Sequence, residues 1–104
     1  MRVIIEDEYL AALYQNGYST GKPKFNREIE LKFIARVIQM ERAVNTNDLR
    51  SLKSLHFEKL SGKLDNKYSI RVNQAFRIIF RIEKDGNNVR VEVIYIEELN
   101  NHYS

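Results

Sequence analysis

Proton transfer near neutral pH is served best by an imidazole, and this sequence holds two, His56 and His102. Neither can pair with a thiolate, because the chain has no cysteine; disulfides, thiolate metal sites and cysteine nucleophiles are excluded together. The histidines stand far apart among scattered carboxylates, which is no metal-ligand spacing, and the four glycines are isolated, which leaves no phosphate-cradling loop. No metal and no cofactor is expected. After His56 come Arg71, Arg77 and Arg81, each permanently charged and able to fork onto phosphate oxygens. Imidazole combined with guanidinium suits acid–base chemistry at a centre where negative charge develops. The competing reading is that these cations only solvate the open face of an antiparallel sheet.

The charge pattern sharpens the choice. The net charge is +3, but residues 49–90 carry ten Lys or Arg against four Asp or Glu, whereas residues 91–104 carry three acids and no base. A basic patch on a small domain favours a polyanion, nucleic acid first, over a solvated surface with no partner.

Positioning these groups falls to a chain of 104 residues, enough for one domain spanning 1–104 and one modest core. No run approaches the ~20 apolar residues of a membrane helix. Glu6, Asp7 and Glu8 come too early for a signal peptide, so a cytoplasmic protein without membrane contact is expected. Arg2 to Glu6 reads as a short strand. Asp7 is a suitable N-cap for a helix bearing Leu10, Leu13 and Tyr14 on one face, and Gly17 suits its left-handed C-cap. The polar stretch around Pro23 is a loop. Asn26 can cap a longer helix whose stripe of Ile29, Phe33, Val37, Met40 and Val44, widened by Ile34 and Ile38, should lie flat on a sheet. Asn45 to Asp48 ends it, and Asp48 is expected to cap a short turn through Leu52.

From about Leu55 the period becomes two. Tyr68, Ile70 and Val72 alternate with Ser69, Arg71 and Asn73; Phe76, Ile78, Phe80 and Ile82 alternate with Arg77, Ile79, Arg81 and Glu83. Tyr68 and Phe76 share parity with the apolar set and are expected in the core. Asn73-Gln74 is a plausible hairpin turn and Lys84 to Asn88 a stronger one. Val89 to Ile96 reads as a central strand. His56 should open the first strand of this series. The order is strand, helix, helix, then antiparallel strands, an α+β class.

The segment His56-Phe57-Glu58-Lys59-Leu60-Ser61-Gly62-Lys63-Leu64, with Tyr68-Ser69-Ile70-Arg71-Val72-Asn73 and Phe76-Arg77-Ile78-Ile79-Phe80-Arg81, resembles the core of HigB-type toxins of the RelE/ParE superfamily. The tail Glu98-Leu99-Asn100-Asn101-His102-Tyr103 resembles that family's C-terminal Asp-Tyr-His, with Asn100 and Asn101 departing from it and the histidine kept. Ser61 also intervenes where a Lys-Gly pair is common. The resemblance implies a RelE/ParE-like fold, with an N-terminal strand and two helices packed on a twisted antiparallel sheet. It implies endonucleolytic cleavage of mRNA on the ribosome, and an antitoxin partner carrying a helix-turn-helix domain, through which operator DNA would be bound.

Metal-free RNA cleavage uses the ribose 2′-hydroxyl as nucleophile, with a base, an acid and cations around the phosphorus. On that basis His102 is expected as acid or base, His56 as base or phosphate contact, and Arg77 as transition-state stabiliser. Arg71, Lys59, Lys63 and Arg81 are expected to hold substrate. Two alternatives share the fold: a ParE-like inhibitor of DNA gyrase, and a non-catalytic, antitoxin-binding co-repressor to which the Asn100-Asn101 departure points.

Overall fold

The computed structural model describes residues 1–62, 66–86 and 88–101. Strand β1 (Arg2–Ile5) leads into helix α1 (Glu8–Asn16), then α2 (Arg27–Arg42) and a short α3 (Thr46–Ser51). A 3-10 turn (Lys53–Leu55) precedes β2 (Glu58–Lys59), β3 (Lys67–Arg71), β4 (Arg77–Asp85) and β5 (Asn88–Asn100).

Side chains fix the helix boundaries. Asp7 accepts from the Leu10 amide at 2.9 Å, and Asn26 accepts from the Ile29 amide at 2.9 Å. Each satisfies a donor that the first helical turn leaves without a partner. Gly17 takes φ 84° as the C-cap of α1, a conformation that costs glycine little. In α2 the residues Ile29, Phe33, Val37 and Met40 are all buried, but the stripe stops there. Helix α2 ends at Arg42, Ala43 is extended, and Val44 is 80 % exposed rather than part of the core. The cause is local. Asn45, not Asp48, caps α3: its carbonyl oxygen accepts from the Asp48 amide, while the Asp48 carboxylate reaches back to the Val44 amide at 2.7 Å. That reciprocal arrangement turns the chain away before another helical turn can form. Ile38 is likewise exposed, so the apolar face is narrower than the sequence suggests.

The strands form one five-stranded sheet in the order β1-β5-β4-β3-β2. It is mixed rather than wholly antiparallel: β1 runs parallel to β5, from Arg2 opposite Val93 to Ile5 opposite Ile96. The β3–β4 hairpin turns through a longer loop than the two-residue Asn73-Gln74 turn expected. Asn73 Oδ1 accepts from the amides of both Ala75 and Phe76, closing an Asx-type turn. Helices cover one face of the sheet. Leu10, Leu13, Phe33, Val37, Met40, Leu49 and Leu55 pack against Ile70, Ile78, Phe80, Ile94, Ile96 and Leu99, with Tyr68 and Phe76 at the margin of this core.

One irregularity decides what the other face presents. Ile79 pairs with Glu98 but Phe80 pairs with Ile96, so Glu97 is the extra residue of a β-bulge. Before the bulge, Ile94 and Ile96 face the helices; after it, Leu99 does. The bulge thus brings Glu97 and Glu98 both to the open face and sets Asn100 opposite Arg77. Among the described residues no helix is long and apolar enough to cross a membrane.

Candidate active site at the open end of the sheet

The open face ends in a row of three paired residues: Arg71 on β3, Arg77 on β4 and Asn100 on β5. Alternation along each strand adds Ser69 and, across from it on β2, Glu58. His56 overhangs this row. It does not open a strand as expected; it ends the 3-10 turn in the left-handed conformation, φ 46° and ψ 53°. For a non-glycine residue that costs about 1 kcal/mol or more. The neighbours hold it there. Leu55 is fully buried on one side, and on the other Phe57 packs against Tyr68 and Phe80 at ring-centroid distances of 5.4 and 6.1 Å. The His56 imidazole is left exposed, with Nε2 3.2 Å from Arg71 Nη1. A guanidinium only donates, so a hydrogen bond here requires a lone pair on Nε2 and places the imidazole proton on Nδ1.

Arg77 is the most constrained cation of the group, only 6 % exposed. Its Nε donates to Ser69 Oγ at 2.8 Å, its Nη2 donates to the His56 carbonyl at 2.5 Å, and the same Nη2 lies 3.4 Å from Glu58 Oε2. Burial pushes its guanidinium below the usual arginine value, the Glu58 carboxylate opposes that, and Arg71 adds to it. At neutral pH the group stays charged. The open face expected for Arg77 is therefore correct, but its side chain lies buried in a polar nest rather than solvated. Arg71 is anchored through its own backbone, whose carbonyl accepts from Arg36 Nε at 2.9 Å.

Of the residues singled out in the sequence, His56, Arg71 and Arg77 converge here. Lys59 does not: it pairs opposite Tyr68, which by alternation puts it on the helix-covered side of the sheet. Nor does Arg81, four residues along β4 from Arg77, about 13 Å at strand rise. It is enclosed by Glu6, Glu83 and Glu97 and lies over the Tyr95 ring at 4.4 Å. Lys63 and His102 lie outside the described residues. Glu58, Ser69 and Asn100 belong to the cluster but were not singled out as site residues. The signal for Ser69 was its parity with Arg71 on β3; Glu58, on a two-residue strand of its own, had none. For Asn100 the signal was the tail's resemblance to the family motif and not the alternation, in which a bulge leaves no clear mark. Among the described residues no group of three or more His, Cys, Asp or Glu side chains is arranged to hold a metal ion.

The cluster is an imidazole beside two guanidiniums and a carboxylate, an arrangement able to bind a phosphodiester and move a proton at it. Comparison with known proteins agrees in fold. A YoeB/ParE toxin from Agrobacterium tumefaciens superposes with a TM-score of 0.61 at 14 % identity, covering 99 % of this chain and 100 % of that one. The YoeB-YefM complex from Staphylococcus aureus gives 0.53 at 19 % identity, covering 99 % and 98 %. In sequence, an uncharacterized protein of Haemophilus influenzae is 40 % identical over 83 residues, 79 % of each chain. The family model describing the RelE-like toxin of the type II toxin-antitoxin system HigB matches residues 4–98. The chain belongs to the HigB-like family: it is a RelE-like toxin of a type II toxin–antitoxin system, from a family in which endoribonuclease activity is typical.

Proposed function

We propose that this toxin cuts mRNA on the ribosome, without a metal ion, by the 2′-hydroxyl route. The observation that carries the reading is the buried Arg77 guanidinium fixed against the backbone of His56, so that fixed charge and a proton-transfer group share one end of the sheet. In this reaction the 2′-oxygen forms a bond to phosphorus while the P–O5′ bond breaks. One group takes the 2′-hydroxyl proton and another gives a proton to the 5′-oxygen. His56, with Nε2 turned towards Arg71 as an acceptor, fits the base. Arg71 moving onto the phosphate would release that nitrogen for the 2′-hydroxyl. His102 is the candidate acid. It follows Asn100 by two residues, at most about 7 Å of extended chain, and Asn100 pairs with Arg77. Arg77 stabilises the charge on phosphorus.

The partners on this reading are a cognate antitoxin with a helix-turn-helix domain, the ribosome and mRNA in the cytoplasm, and operator DNA through the antitoxin. Inducible expression followed by mapping of transcript ends tests it. The expected result is growth arrest with transcripts cut inside codons, leaving a 2′,3′-cyclic phosphate and a 5′-hydroxyl. His56→Ala, His102→Ala and Arg77→Ala should each relieve arrest while remaining folded. Arrest with intact transcripts and inhibited supercoiling would favour gyrase as target. No arrest, with salt-dependent operator binding by the complex, would favour a co-repressor.

A further inference from the structure

We propose that Ser69 is a positioning residue for this reaction, its hydroxyl fixing which edge of the Arg77 guanidinium faces the substrate. The inference rests on the nuclease reading above and extends it to a residue that would touch no RNA. Ser69 is fully buried, on the one row of β3 that faces away from the apolar core. A buried hydroxyl in a strand costs free energy unless it is hydrogen-bonded, and its partner here is Arg77 Nε at 2.8 Å. The consequence concerns the other nitrogens. An arginine has five N–H donors in a rigid plane. With Nε held by Ser69, rotation about the end of the side chain stops, and Nη2 is directed at the His56 carbonyl and Glu58. Nη1 makes no hydrogen bond to a described residue. It is the edge left to meet a phosphate oxygen, and the same plane that aims it also holds the strained turn from which the His56 side chain projects. Ser69 therefore acts twice through Arg77: it orients the charge, and it steadies the carbonyl clamp under the imidazole.

Ser69→Ala removes one oxygen from a packed site and leaves the guanidinium charge in place. The loss should appear as mis-orientation, about 10- to 100-fold in kcat for cleavage on programmed ribosomes, with KM changed by less than about threefold. Ser69→Thr restores a hydroxyl at the same atom and should recover most of the rate, which a purely structural defect would not do. A second readout is independent of activity. In the isolated wild type, the Arg77 Nε–Hε NMR signal should be resolved and protected from solvent exchange; in Ser69→Ala it should lose protection while the core amides keep theirs. Unchanged kcat in Ser69→Ala overturns the role of Ser69 and leaves the nuclease reading standing. A wild type that cuts no transcript overturns the nuclease reading and the catalytic meaning of the clamp with it. Exchange of Nε–Hε that is identical in wild type and Ser69→Ala overturns the clamp itself.

Discussion

Replacing Arg81 by methionine separates a structural cation from a substrate contact. The guanidinium pairs with both oxygens of Glu6, reaches Glu97 Oε2 at 3.0 Å and Glu83 Oε1 at 3.1 Å, and lies over Tyr95. Its side chain is 29 % exposed, so screening discounts every pair. Exposed ion pairs contribute about 0.2–1 kcal/mol each and a ring contact of this kind about 0.5–1 kcal/mol. Shared by one guanidinium, the set comes to about 2 kcal/mol, because methionine keeps the apolar stem but no charge. For a chain of this size that lowers Tm by roughly 8–16 °C. The pH dependence follows from Glu6. Its hydrogen bond from Arg81 holds the carboxyl below the usual value, against a smaller opposing effect of burial. A carboxyl with a lowered folded-state value stabilises fully above its unfolded value and loses that contribution as pH falls through the folded one. The gap between wild type and Arg81→Met should therefore be complete at pH 7 and narrow in acid below the ordinary carboxylate range, down to the part contributed by the Tyr95 ring contact. Urea unfolding at several pH values measures it, and high salt should narrow the gap at pH 7. Transcript cleavage per folded molecule should change less than about threefold, well under the loss expected for a transition-state donor. Equal stability at pH 7, or a gap that persists unchanged in acid, would refute the reasoning. A large fall in cleavage at unchanged stability would return Arg81 to the substrate.

Glu30 offers a second acid-sensitive site. Burial pushes its carboxyl up, but hydrogen bonds from Ser19, Arg27 and Tyr9 outweigh this and hold it below the usual value. Glu30→Gln should cost about 1–3 kcal/mol at neutral pH, less as acid protonates the wild-type carboxyl, read from urea midpoints. Phe33, fully buried between α2 and the sheet, should cost about 3–5 kcal/mol when truncated to alanine, a large share of the roughly 5–15 kcal/mol available to a domain. Circular dichroism melts of Phe33→Ala should show partial unfolding well below the wild-type transition.

What the sequence disclosed depended on the range of the interaction. Asp7, Asn26 and Gly17 act within one helical turn, and their roles are readable from residue type alone. The spacing of Ile29, Phe33, Val37 and Met40 and the alternation around Ile78 and Phe80 mark buried faces for the same reason. The turn at His56 was not readable, because its left-handed backbone is imposed by the packing of Leu55 and Phe57 and by Arg77 from 21 residues away. The Glu6–Arg81 pairing spans 75 residues, and without it Arg81 reads as another open-face cation like Arg71. The parallel pairing of β1 with β5 and the bulge at Glu97 also lie beyond any local pattern, although they set which residues sit beside Arg77.

The central place of β5 has a consequence for how the molecule is made. It is threaded between β1, at the beginning of the sequence, and β4, just before it. A growing polypeptide must carry its first strand unpaired until Val93 has been added opposite Arg2, which at ordinary elongation rates is about 5–18 s. Through that interval the helices can form, but the half of the sheet that frames Arg77 has no neighbour on its Asn100 side. Biosynthesis thus allows the helical layer to form early, and the row of Arg71, Arg77 and Asn100 is completed last.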